Sequence, residues 1–147
     1  MRINSRAKGK SGEQEFRDIL EPVVGLVYLS RGLKPPRLKR NTLQSDGGGY
    51  DILGIPFAAI EVKRCEQLSL EEWWSQAKSQ AAPCQIPILA YRQNKRPWRV
   101  RMGGLLQVRG CRMVSTVADI NLKTFLTWLT MKLELHLDGE SGKVGHA

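Results

Sequence analysis

Tyr50–Arg64 reads YDILGIPFAAIEVKR. Ile52-Leu53 and Phe57–Val62 are short β-prone runs, and Gly54-Ile55-Pro56 between them is a turn signal. The stretch predicts a hairpin: a short strand, a tight turn and a second strand. Side chains alternate across a strand, so Ile60 and Val62 face one side, and Glu61 and Lys63 the other. Nine residues separate Asp51 from Glu61. From the neighbouring strand, Asp51 reaches the same spot. Two carboxylates and an ammonium then converge at one end of a small sheet.

That convergence suits Mg²⁺. Asp51, Glu61 and the main-chain carbonyl of Val62 offer hard oxygen ligands to an ion that keeps several waters and shares the rest of its shell with substrate phosphate. Mn²⁺ is the expected substitute. Lys63 stands where it would orient a water or neutralise charge developing on the phosphate. A Glu-x-Lys pair alone is common on surface strands. Asp51, the preceding Gly47-Gly48-Gly49, the aliphatic face and the turn make the combination far more specific. The three glycines serve either close approach of a nucleic-acid backbone or a tight connection.

Asp51-x9-Glu61-Val62-Lys63 resembles the core motif of the PD-(D/E)XK nuclease superfamily, with Tyr50 where many members have proline. Lys8-Gly9-Lys10-Ser11-Gly12-Glu13 resembles the first helix of the archaeal-type Holliday junction resolvases, whose early glutamate joins the active site. Arg40–Gly48 (RNTLQSDGG), with Trp73-Trp74 and Gln76 downstream, resembles small resolvase-like proteins of tailed phages. The likeness covers residues 8–101. It implies an α/β fold, a restriction-endonuclease-like mixed β-sheet flanked by α-helices. It also implies metal-dependent cleavage of DNA with Glu13, Asp51, Glu61 and Lys63 at the site. The most specific version is a resolvase cutting four-way junctions as a homodimer, since two symmetric nicks need two related sites. A flap, nicking or mismatch endonuclease is the second enzymatic reading. A catalytically silent DNA-binding accessory protein of replication or recombination is the third, and the intact Asp51, Glu61 and Lys63 argue against it.

Composition is compatible with this. The chain has 147 residues and a net charge of +9, from 23 Lys and Arg against 14 Asp and Glu. An excess of that size favours a polyanionic partner, although a merely soluble basic protein shares it. Cys65, Cys84 and Cys111 form no CxxC and read as reduced thiols of a cytoplasmic protein, in a bacterial host if phage-encoded. Both histidines, His136 and His146, lie near the end, which disfavours a zinc site. No apolar run is long enough for a signal peptide or membrane span. One nuclease domain is expected over residues 1–137, with a basic mobile arm at 1–10 and a disordered tail at 138–147.

Along the chain, a first helix is expected to open at Ser11, with Gln14 completing a capping box and Phe16, Ile19 and Leu20 as its stripe. Glu13 continues that stripe inward. Position alone makes it a helix-start acid favoured by the dipole; the resemblance makes it an active-site acid. Pro22 ends or follows the helix, and Val23–Leu29 reads as a strand. Ser30–Arg40 is a basic loop in which Arg37, Lys39 and Arg40, together with Lys10 and Arg64, are candidate phosphate contacts. Leu43 is expected to pack beneath the site. A helix follows Ser69, with Glu72 as its capping-box partner, Leu68 stapled onto Trp73, and Leu70, Trp73, Trp74, Ala77 and Ala81 buried. Gln76, beside that face, either supports the site or is a boundary amide. Ile86–Tyr91 reads as a central strand. Trp98–Met102 reads as an edge strand whose Arg99 and Arg101 form a second DNA surface or a charged edge. Gly103–Arg112 is weakly patterned, and Met113–Val117 is a short strand. The mixed sheet is thus expected to have four or five strands. Leu122, Phe125, Leu126, Leu129 and Leu133 stripe a last helix, with Trp128 off it as a candidate partner contact.

Overall fold

A computed structural model of the chain describes residues 5–42 and 49–141. The hairpin is present. Strand β2 (Ile52–Leu53) pairs antiparallel with β3 (Ala58–Arg64), Ile52 opposite Ile60. Gly54 in the turn has φ +120°, and a Cβ there would meet Leu38 Cδ2 at 2.8 Å and Leu38 Cα at 3.3 Å. Both the dihedral and the close approach require glycine.

Among the described residues six strands form one mixed sheet, more than the four or five expected. Before the hairpin lies β1 (Lys39–Arg40); after it come β4 (Ile86–Arg92), β5 (Arg99–Arg109) and β6 (Arg112–Asn121). Spatial order follows chain order. Only β3 and β4 run parallel, joined by helix α2 (Leu70–Gln80), the crossover a parallel pair needs. Helices α1 (Ser5–Ser30) and α3 (Leu122–Ser141) cover one face, where Ile60, Val62, Ile88, Val100, Phe16 and Phe125 share a core. On the other face α2 packs Trp74 and Ala77 against Leu89 and Tyr91.

Helix α1 departs most from expectation. It starts at Ser5, so Ser5–Lys10 belongs to the helix rather than to a mobile arm, and Ser11 caps nothing. It runs through Pro22 and includes Val23–Leu29, which is not a strand. Phe16, Leu20, Val24 and Val27 explain this. Their spacing is helical and all four are buried. Burial of that stripe outweighs local β propensity. Pro22 lies on the exposed side, where water can satisfy the Asp18 carbonyl that loses its helical partner.

Other differences follow from long-range packing. Ser69 precedes α2 but makes no side-chain cap, and Leu68 is exposed rather than stapled onto Trp73. Trp128 is not a free surface aromatic: it meets Phe57 edge-on and stacks on Phe125. Leu137 extends the buried stripe of α3, so Asp138–Ser141 is helical rather than the start of a tail. β5 is an interior strand of a long hairpin with β6. Arg101 is buried there, bound by Asp119 at 2.9 and 3.0 Å and by Glu71 at 2.8 Å, and cannot form a DNA surface. Residues 1–4 of the expected arm, Leu43, Gly47, Gly48 and residues 142–147 lie outside the described residues. Among the described residues, no helix is long and apolar enough to cross a membrane.

Candidate active site

Asp51 stands just before β2, fixed on three sides. Its N–H donates to the Ile60 carbonyl at 2.7 Å, and its own carbonyl accepts from the Asn41 N–H at 2.8 Å. Its Oδ2 accepts from the Val62 N–H at 2.7 Å. Register does this: Ile52 opposite Ile60 carries Asp51 toward Val62. Tyr50 occupies the position of the motif proline. Its carbonyl accepts from Asn41 Nδ2 at 3.1 Å, a second tie to the same segment, and its hydroxyl accepts from Gln85 Nε2 at 2.9 Å.

Glu61 points to the α2 side of β3 and is 2% exposed. Its Oε1 accepts from Lys63 Nζ at 2.8 Å. Its Oε2 is buried with no hydrogen-bond partner. Burial first, then the negative charge of Asp51 and more weakly that of Glu13, push the Glu61 carboxyl up to about 7 against the pull of Lys63. A buried carboxylate oxygen without a partner is costly. A hard cation beside Asp51 and Glu61 would remove that cost, so the donor set fits a divalent metal ion. Among the described residues, no three acid, histidine or cysteine side chains already converge on a point that could hold one.

Glu13, Asp51, Glu61, Val62, Lys63 and Gln76 all line one cleft of about 340 Å³. Arg64 also lines it, but its guanidinium bonds Ser11 Oγ at 3.3 Å and Glu15 Oε2 at 3.4 Å. Arg40 is drawn to the cleft by Glu13, whose Oε2 accepts from Arg40 Nε at 3.0 Å. Lys10, Arg37 and Lys39 are exposed and outside the lining.

Two residues of the region went unread in the sequence. Gln80 lines the cleft one helical turn beyond Gln76, and its Oε1 is buried without a partner. The i, i+4 spacing was the available signal. Glu15 accepts from Arg64, from Arg92 and from Trp98 Nε1 at 3.1 Å, and so pins α1 to the ends of β3 and β4. Nothing local marks it, because its partners come from distant segments.

The depth of α1 in the site depends on Gly12. A Cβ there would lie 2.9 Å from Arg64 Cβ, close to the backbone of β3 and unable to swing aside. Gly12→Ala gains about 1 kcal/mol of helix propensity. Overpacking costs about 1–3 kcal/mol. We expect a net loss of stability in denaturant titration, together with reduced activity as Glu13 is pushed outward.

Glu61 also predicts a pH dependence. Its folded value, about 7, lies above the ordinary 4.5. Between those values the folded state keeps a proton that the unfolded state releases. The stability this contributes is complete below 4.5 and is lost as pH rises through 7, by about 3 kcal/mol at most. In EDTA the unfolding midpoint of the wild type should fall over that window, and Glu61→Gln should flatten the fall.

Searches of curated proteins and of solved structures returned no match. The family described as "Phage putative PDDEXK endonuclease" matches residues 4–132, which include the hairpin, the cleft, helices α1 and α2 and the first half of α3. With so much of the 147-residue chain matched, and a mixed α/β sheet carrying its Asp51, Glu61 and Lys63 into one cleft, the chain belongs to this phage PD-(D/E)XK endonuclease family.

Proposed function

We propose that this cleft hydrolyses DNA phosphodiester bonds with Mg²⁺, and that its preferred substrate is a four-way junction. The observation that carries the hydrolytic reading is the unpartnered Glu61 oxygen beside Asp51 and Lys63 in a cleft open to substrate. Asp51, Glu61 and the Val62 carbonyl would hold the ion, which when bound polarises the phosphate and lowers the pKa of water. Lys63 does the rest at the reacting phosphate. Its ammonium, held by Glu61, orients the attacking water and offsets negative charge as the phosphorus–oxygen bond breaks. Glu13 adds charge at the mouth of the cleft, and Gln76 and Gln80 present amides to the same space.

The net charge of +9 supports a polyanionic substrate, with exposed Arg37 just before β1 and exposed Lys39 at its start. Each neutralised phosphate contributes about −0.9 to the slope of log K against log salt for duplex DNA. Neutralising Arg37, Lys39 and Arg40 together should flatten that slope by about 2 to 3 if two or three of them touch phosphate. An unchanged slope would assign this loop to solvent alone.

The preference for a junction is supported by the resolvase-like sequence around Glu13 and Arg40, and two symmetric cuts call for two copies of the chain. A labelled panel of four-way junction, flap, duplex and single strand, incubated with Mg²⁺, tests it. The junction should be cut fastest, in paired strands. Faster cutting of the flap or duplex would replace the junction with that substrate.

A further inference from the structure

We infer that two copies of this chain join through the outer edge of β6 and the ribbon it forms with β5. β6 ends the sheet, with no strand beyond it among the described residues. It is ten residues long, and its sequence, RMVSTVADIN, contains no proline and no lysine. Natural edge strands of that length are normally shortened, bulged or charged, because bare N–H and C=O groups recruit another strand. The single register shift lies near the tip, between Gln107 and Arg109, and leaves most of β6 regular.

The ribbon is apolar on both faces. Leu106 (60% exposed) and Val114 (52%) continue the face of Val100 and Met102, beyond the cover of the helices. Leu105 (65%), Met113 (51%) and Val117 (48%) occupy the opposite face. Pairing at the edge would satisfy the outer main-chain groups of β6 and bring its Met113, Val114 and Val117 beside the partner strand, while Leu105 and Leu106 lie one strand in, on β5. A two-stranded ribbon bare on both sides is marginal in water.

The occupant that fits is a second copy. Residues 103–117 carry only two charges, Arg109 and Arg112, too few to follow a phosphate backbone. They form a nearly uncharged approach for two chains that each carry +9. A two-fold axis perpendicular to the sheet pairs β6 antiparallel with its own copy, so the same apolar residues meet one another. The two sheets become one, and the two clefts become symmetry-related. This interface rests on the sheet edge and is independent of whether the chain cuts DNA.

Sedimentation of the full chain without DNA, at micromolar concentration, should give twice the chain mass of 16.6 kDa. Val114→Lys/Val117→Lys places a charge on each face at positions already exposed in one copy, so it should give the single-chain mass with an unchanged circular dichroism spectrum. If that variant folds poorly, amide exchange of wild-type Arg112–Asn121 decides instead, and should slow as concentration rises. A wild type monomeric throughout the range, exchange independent of concentration, or a folded double variant still at twice the mass would each overturn the interface. A monomeric wild type whose double variant loses DNA binding would give the ribbon to DNA and overturn it equally.

Discussion

Asp51→Asn and Glu61→Gln are each expected to lower Mg²⁺-dependent cleavage by about 10³-fold or more while DNA binding stays close to wild type. A loss of that size is about 4 kcal/mol of transition-state stabilisation. The substitutions should spare the fold for different reasons. Asparagine in place of Asp51 keeps an oxygen that can accept from the Val62 N–H, the bond at 2.7 Å that ties the hairpin together. At position 61 the change removes a buried charge that burial already disfavours, and the amide oxygen still accepts from Lys63. Binding should survive because the proposed phosphate contacts, the exposed Lys10, Arg37 and Lys39, are untouched. Cleavage assays should be paired with filter binding on the same preparation. Loss of binding in step with cleavage would make both residues scaffold.

Glu13→Gln is expected to lower turnover by about 10²-fold with little change in melting temperature. As a helix-start acid alone, Glu13 would cost about 0.3–1 kcal/mol of stability on removal. That role requires the helix to open at Ser11. Because α1 opens at Ser5, Glu13 lies beyond the first turn, where the dipole effect has faded. The partner of Glu13 is Arg40, and glutamine keeps an acceptor for that guanidinium. What glutamine cannot supply is the negative charge that Glu61 already senses. A variant that melts earlier yet turns over at the wild-type rate would remove Glu13 from the chemistry.

The legible parts of this protein were the local ones. Tyr50–Arg64 declared its hairpin through alternation around Gly54 and Pro56, and register then fixed which side Glu61 and Lys63 share. The parallel strand β4 and its crossover helix α2 were legible for the same reason. The second half of α1 was not, since Pro22 and the valines after it argue locally for a break and a strand. Only the core contacts of Val24 and Val27 decide otherwise. Gly103–Arg109 hid its part of β5 because both faces of the ribbon are exposed, so no hydrophobic alternation is imposed, and Met113–Val117 showed only the middle of β6. Arg101 looked like a surface cation because its partners, Asp119 and Glu71, are 18 and 30 residues away. Trp128 hid in the same way, its partner Phe57 being far off along the chain.

This cleft is expected to break phosphodiester bonds only when a divalent ion is supplied. The direct measurement is cleavage of end-labelled DNA by the wild-type chain in Mg²⁺ and in EDTA, side by side, with the four-way junction and its duplex arms as substrates. Defined nicks in Mg²⁺ and intact strands in EDTA are the expected result. Equal cutting in EDTA, or intact strands in Mg²⁺ from a preparation that binds the junction, would contradict it.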